Sequence, residues 1–389
     1  MNTINVNSVY EELKKNRKMI SRIMDGLRNK DVSGFTPPSM IVGEFNYPRV
    51  SMGVMFTTDD NARIYDAEKY WVEKGYSVGD IFSIRSSLIN AKSRINVKEP
   101  ESKRLEDIRL SVLSKDSVGL QVRLSGLAPG NGVSKFTAPH GINAFLDKIK
   151  INDNITMEKP VEKAFYDKDL KATDAINYLY ENKIEDNKIS RILSVGAVGV
   201  KRKLVPTKWA ITAVDDTLGK SFIERAKELP CGDRYIEMHG GILGNMFTFL
   251  FIKGSWSFEL IECWNRSGNS LFAGTGDHEF YYGRKDYARN TSGAYYAVRL
   301  AVLEKLMEFG EQYSVVVIRE ITPEYFVPLG VWVVREGARK ALSGEMKTAE
   351  NFDGLLKSAR DSVLYLKDFD NRSEVIKFYK TQANLLNFY

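Results

Sequence analysis

Six carboxylates stand where they could do chemistry. Asp215 and Asp216 are adjacent at the end of an apolar run, Trp209 to Val214, that reads as a β-strand. Asp277 and Glu279 flank His278, just after a polar, glycine-containing stretch. Glu320 and Glu336 each follow an arginine, Arg319 and Arg335. Two close carboxylates at a strand end can hold Mg²⁺ or Mn²⁺ and support phosphoryl chemistry. Either metal is therefore implied only if these acids converge. A single glutamate, Glu320 or Glu336, would instead suit nucleotide transfer of the ADP-ribosyl type. The plainer role is structural: Asp216 caps a helix, and Glu320 and Glu336 pair with arginines. Which of these holds depends on whether the acids share one cleft.

The densest basic cluster is Lys201, Arg202 and Lys203, with Lys208 nearby. Such a cluster can contact phosphates, which gives affinity and orientation without sequence readout. It can equally be a solvated loop. Arg85, Lys92, Arg94 and Lys98 make a second region basic. His140 lies in a loop, Ala128 to Gly141, rich in glycine and proline, and could serve as a catalytic group. Gly219-Lys220-Ser221 is not a phosphate-binding loop, because position 214, where the first glycine would stand, is a valine. Neither Gly130/Gly132 nor Gly274/Gly276 has the third glycine of a dinucleotide fingerprint.

The elements that must position these groups fit an ordinary soluble balance. The chain has 389 residues, 43% of them hydrophobic and 27% charged, with a formal net charge of +6. Two cysteines, Cys231 and Cys263, cannot build a four-cysteine zinc site, and no zinc site is expected. The first thirty residues lack a signal-peptide core, and Met246 to Ile252 is too short to span a bilayer. A cytoplasmic protein with no membrane partner follows. Residues 7–30 read as a basic amphipathic helix. Ile41 to Met55 reads as strand, turn, strand, broken at Pro48. Helices are expected over 62–76, 78–91, 100–116, 168–182, 288–309 and 348–365, and from Ser221 to Leu229. Asn245 to Ile252 and Trp256 to Trp264 read as a hairpin about Lys253-Gly254-Ser255, and Ser314 to Ile321 as a strand. The fold class is α+β: a mixed sheet with antiparallel hairpins packed by helices, and an exposed C-terminal tail. The domains expected are a basic helix over 1–34, bodies over 35–270 and 271–370, and a tail over 371–389.

The tail ends in Gln382-Ala-Asn-Leu385-Leu-Asn-Phe388-Tyr389. In a tight 3₁₀-like turn, Leu385 and Phe388 share one side. With Tyr389 beside them and Gln382 anchoring the near end, they form a plug for an apolar groove. The pattern resembles the PIP box, by which replication and repair proteins dock on the sliding clamp PCNA. The alternative is a terminal segment folded onto its own core through Val375, Ile376, Phe378 and Tyr379.

Two long blocks carry a wider resemblance. One is Lys203-Leu-Val-Pro-Thr-Lys-Trp-Ala-Ile-Thr-Ala-Val-Asp-Asp216. The other runs from Gly293-Ala-Tyr-Tyr-Ala-Val-Arg299 through Ile318-Arg-Glu-Ile-Thr-Pro-Glu-Tyr325 to Gly330-Val-Trp-Val-Val-Arg-Glu336. With Val42-Gly43 and Tyr47-Pro48, they make the chain resemble the archaeal Nre family of DNA repair proteins. The resemblance implies a role in repair of damaged DNA, DNA and PCNA as partners, and Gln382, Leu385, Phe388 and Tyr389 as the PCNA contacts. Relatives with an N-terminal four-cysteine element imply a zinc-dependent DNA contact. This chain has no N-terminal cysteine, so that contact does not carry over.

Overall fold

Two β-sheets, each in its own compact unit, organise the chain. The computed structural model describes residues 31–98, 102–130, 132–265, 271–273 and 276–386. The helix expected over 7–30 lies outside them, as do Phe388 and Tyr389. The N-terminal unit holds residues up to Val214 together with Val327–Gly330. The C-terminal unit holds Asp215–Phe326 and Val331–Tyr389.

The N-terminal sheet is built from β1 (Asp31–Thr36), β2 (Met40–Val42), β3 (Arg49–Phe56), β4 (Ile89–Asn96), β5 (Val118–Ala128) and β6 (Asn143–Ile151). Its order is β1-β5-β6-β4-β3-β2, and only β4 and β6 run parallel. Strand alternation divides its faces. Val50, Met52 and Val54 of β3 are fully buried, as are Ala91 of β4 and Ala144 of β6. The opposite face carries Arg49, Ser51 and Gly53 beside Asn90, Lys92 and Arg94. The strand–turn–strand expected over 41–55 is present, with a cis Tyr47–Pro48 bond in its turn. The helix expected over 78–91 stops at Ser86, and its last part is strand β4.

In the C-terminal unit, β7 (Tyr235–Ile242), β8 (Asn245–Ile252), β9 (Ser257–Asn265), β10 (Leu271–Ala273), β11 (Asp277–Glu279), β12 (Ser314–Ile321) and β13 (Met346–Ala349) form the second sheet. Its order is β10-β9-β12-β8-β7-β13, with β11 also on β9. The expected strands β8 and β9 are there, but they do not pair as a hairpin. Strand β12 sits between them, antiparallel to β8 and parallel to β9. Ser314 opposes both Ile252 and Ser257, and its hydroxyl donates to Ser255 O in the connection. The turn signal at 253–255 was local; the apolar β12, buried at nearly every position, took the central place.

The strand expected over 209–214 is helix. One element, Thr207–Lys227, contains both the apolar run and the acid pair, and it absorbs the separate helix expected from Ser221. Ala210, Val214 and Leu218 are buried at four-residue spacing, which is a helical stripe. The short run Trp209 to Val214 was ambiguous by itself, and the acids looked like a terminus because their partners are distant in sequence. A further helix spans Trp332–Leu342.

Two buried glutamates fasten the C-terminal elements to the sheet. Glu320 of β12 accepts hydrogen bonds from the backbone N–H groups of Leu364, Tyr365 and Leu366, at 2.6, 2.6 and 3.0 Å. Glu259 of β9 accepts from the Ser373 hydroxyl and from the N–H groups of Glu374 and Val375, both at 3.1 Å. Those donors open the last helix, Glu374–Leu386, whose first-turn N–H groups have no partner within the helix. Val375 and Ile376 are buried, Tyr379 bonds Tyr235 through its hydroxyl at 2.7 Å, and Gln382 is exposed. The segment therefore docks at its start and reaches solvent at Gln382. Glu259→Ala strips a charged acceptor from three donors. The helix start should lose roughly 1–3 kcal/mol of local stability. Hydrogen exchange over 374–380 should quicken while β12 stays protected.

Candidate functional site

A cleft of about 400 Å³ opens on the polar face of the N-terminal sheet. Its walls are the β2–β3 turn, strands β3 and β4, the start of β6, the 129–142 loop and residues Thr207 and Lys208. The loop is the part that needs holding. Arg85, fully buried, donates to Pro139 O at 2.7 Å, to Tyr65 O at 2.8 Å and to Asp66 at 2.8 Å. A guanidinium with fixed donors suits two carbonyls and a carboxylate at once. The loop also closes on itself, because His140 N donates to Gly132 O at 2.8 Å. Gly132 has φ +70°, and a Cβ there would lie 2.1 Å from His140 O, so only glycine fits.

The cleft floor is an amide pair and an imidazole. Asn90 Nδ2 donates to Asn143 Oδ1 at 3.0 Å and meets His140 Nε2 at 3.3 Å. His140 Nδ1 lies 3.0 Å from Gly141 O, so Nδ1 carries the proton and Nε2 accepts. Gly53 makes room for this floor: a Cβ there would stand 1.9 Å from Asn90 Oδ1. Burial, with the nearby Arg85 and Lys92 charges, pushes the His140 pKa down to about 3. The ring is neutral at physiological pH and adds no charge of its own.

Cations and aromatic rings supply the rest. Arg49, Lys92 and Arg94 line the cleft, and none has an acidic partner among the described residues. Burial lowers the Lys92 pKa. Lys208 pairs with Glu44 at 3.3 Å, and its ammonium lies 4.6 Å from the Phe136 ring centre. Phe45, 81% exposed, and Phe145, 45% exposed, also line it. Unpaired cations beside exposed rings are what a nucleic-acid strand needs: charge for phosphate and flat faces for bases.

The acids singled out from sequence lie elsewhere, and most are matched by cations. Asp215, fully buried inside the helix Thr207–Lys227, takes a two-pronged contact from Arg335 at 2.8 Å. Asp216 meets Arg299 at 2.7 Å and Lys220 at 2.6 Å, and Glu279 meets the same Arg299 at 2.8 Å. Asp277 accepts from Thr291 N and Oγ1 and pairs with Arg284 at 3.1 Å. Glu336 pairs with Arg339 at 2.8 Å. Glu320 holds the backbone nest already described. Asp216 and Glu279 do converge, but on a guanidinium. Among the described residues, no group of three or more His, Cys, Asp or Glu could hold a metal ion.

The basic residues divide as well. Arg202 donates to Phe165 O at 2.6 Å and Asp167 O at 2.7 Å, which fixes it against its own unit. Lys201 and Lys203 are exposed and do not line the cleft, whereas Lys208 does. Gln382 is exposed, and Leu385 belongs to the last helix. His239 hydrogen-bonds Thr248 at 2.9 Å on the other sheet. Arg49, Asn90, Asn143, Phe45 and Phe145 were missed. The signal was the alternation Asn90-x-Lys92-x-Arg94, visible in the sequence but hidden by assigning part of it to a helix. No helix among the described residues is long and apolar enough to cross a membrane.

Comparisons with known proteins cover both units. Residues 6–271 match the family model described as archaeal Nre, N-terminal, and residues 279–388 match archaeal Nre, C-terminal. The chain is 34% identical over 361 residues to "DNA repair protein NreA" of Haloferax volcanii, covering 89% of this chain and 85% of the relative. It is 37% identical over 329 residues to "DNA repair protein NreB" of Archaeoglobus fulgidus, covering 81% of each. It is 34% identical over 353 residues to "DNA repair protein NreA" of the same organism, covering 89% and 86%. No solved structure matches the chain.

Two outcomes test this site. The unfolded chain binds a proton on His140 near pH 6.5, while the fold resists it down to about 3. Stability carried by this residue is thus present above 6.5 and lost as pH falls. Between pH 7 and pH 5 the loss is about 2 kcal/mol. Urea titrations should show that His140→Gln removes about that much of the acid sensitivity. Arg85→Ala leaves Asp66 without that cation and two carbonyls without their donor. It should cost roughly 3–5 kcal/mol and speed proteolysis within 129–142.

Proposed function

The chain belongs to the archaeal Nre family, and we propose that it is a DNA repair factor that touches nucleic acid with the basic, aromatic cleft of its N-terminal unit. Its last eight residues bring it to DNA by binding the sliding clamp PCNA. The relatives' names, each a DNA repair protein, support the role. The observation that carries the cleft is charge without compensation: Arg49, Lys92 and Arg94 face one cavity with no acidic partner among the described residues. Lys92 is half-buried with no counter-charge among the described residues, and Arg49 and Arg94 stand exposed beside it, so the positive potential gathered in this cleft points to an anionic ligand. The clamp reading rests on the sequence Gln382, Leu385, Phe388 and Tyr389, and on the exposure of Gln382 beyond the docked start of its helix. Tethering raises the local DNA concentration, so the cleft itself needs only modest affinity.

A nucleotide-processing activity is the second reading. One observation favours it: an imidazole, His140, and a carboxylate, Glu44, line the same cleft beside the same cations.

Two measurements test the proposal. Lys92→Gln with Arg94→Gln should weaken binding of a labelled single strand at least tenfold in fluorescence anisotropy. It should also flatten the salt dependence by about two counterions' worth of slope. Unchanged affinity would remove the cleft from DNA binding. Separately, Phe388→Ala with Tyr389→Ala should abolish the calorimetric signal with the cognate clamp and leave DNA affinity intact. Full clamp affinity in that variant would exclude the tail as the tether.

A further inference from the structure

We propose that the end of the cleft beside Lys92 and Gly130 is a subsite for a terminal phosphate: the phosphomonoester of a nucleotide, either free or at the end of a DNA strand. This rests on the nucleic-acid reading of the cleft. The argument starts from the donors there. A Cβ placed on Gly130 would stand 2.8 Å from Asn143 Nδ2 and 3.5 Å from Lys92 Nζ. Both donors thus surround one point beside a bare glycine, and neither has a hydrogen-bond partner among the described residues. The acceptors nearby are spent or turned away. Asn143 Oδ1 and His140 Nε2 receive Asn90 Nδ2, and Asn90 Oδ1 lies against Gly53.

A pocket end offering donors only suits a ligand group offering acceptors only. Phosphate is that group; a base edge mixes both kinds. Charge agrees. Lys92 is half-buried, and its neighbour His140 stays neutral and leaves the positive potential to the ammonium. The start of the 21-residue helix Thr207–Lys227 lines the same cleft and adds the positive end of its dipole. Arg49 and Arg94 are more exposed than Lys92, so they stand nearer the mouth, where a second phosphate of a strand would pass. Phe145 pairs in register with Lys92 on the neighbouring strand and is 45% exposed, which places a stacking face next to the phosphate. A volume of about 400 Å³ is at the small end for ligand pockets and suits one nucleotide. A phosphodiester within a strand carries a nucleoside on each side, whereas a terminal phosphate carries one and matches a cleft of that volume.

The test compares otherwise identical single strands ending in 5′-phosphate, 3′-phosphate or hydroxyls, using the full chain and anisotropy. One phosphorylated end should bind at least tenfold tighter than the hydroxyl-ended strand. Deoxyadenosine monophosphate should compete, and deoxyadenosine should not. Lys92→Gln, which breaks no hydrogen bond or ion pair among the described residues, should erase the advantage of the phosphate. Phe145→Ala should weaken the mononucleotide severalfold and leave competition by inorganic phosphate unchanged. If all three strands bind alike and Lys92→Gln weakens them equally, the terminal-phosphate subsite is wrong and the nucleic-acid cleft stands. If the mononucleotide binds in a Lys92-dependent way but no strand does, the subsite stands as one for free nucleotides and the DNA reading falls. If neither binding depends on Lys92, both are overturned.

Discussion

A buried guanidinium makes the cleft possible. Arg85 has no access to water, and a charge so placed must have its donors met or unfold its surroundings. Its needs are met by Asp66 and by carbonyls of Tyr65 and Pro139. Two of these acceptors are main-chain oxygens, so satisfying one charge fixes two stretches of backbone. The loop 129–142 is thereby held at Pro139, beside the bonds of Gly141 N to Leu88 O and of Asn90 N to Ile142 O. Everything the cleft offers follows from that: the approach of Gly130 to Lys92 and Asn143, the closure of Gly132 on His140, and a floor that stays uncharged below unpaired cations.

The C-terminal unit applies the same physics with a different result. Asp215–Arg335, Asp216–Arg299–Glu279 and Arg319–Glu262 are buried or nearly buried pairs, so their charges are spent on each other. Glu320 and Glu259 spend theirs on backbone N–H groups at the points where later elements meet the sheet. An acid so engaged is poorly placed to bind a metal or move a proton. The contrast between buried pairs whose charges cancel and cleft cations with no acidic partner among the described residues is the physical basis for the proposal of ligand binding in the N-terminal unit.

The sequence made some of this legible. The strand–turn–strand about Pro48, the strands β8, β9 and β12, and the loop after Ala128 follow from alternation and from glycine and proline, which are local signals. The α+β class followed with them. The place of β12 between β8 and β9 did not, because pairing between residues some sixty positions apart leaves no local trace beyond apolar content. Asp215 and Asp216 misled for the same reason. Two adjacent acids after Val214 look like an element's end until Arg335 and Arg299 are seen beside them. The cleft was half legible: Lys92 and Arg94 were recognised as basic, and His140 as a loop histidine. Their meeting with Asn90, Asn143 and Phe145 depends on the parallel pairing of β4 and β6.

The most direct test of the cleft as a nucleic-acid site is photocrosslinking. A single strand carrying 5-iododeoxyuridine at successive positions would be irradiated with the full chain, and the crosslinked peptides mapped by mass spectrometry. The account predicts adducts on Phe45, Phe136 or Phe145, lost when Lys92 and Arg94 are changed to glutamine. Adducts confined to the C-terminal unit, with none on peptides from 41–56 or 128–145, would contradict it.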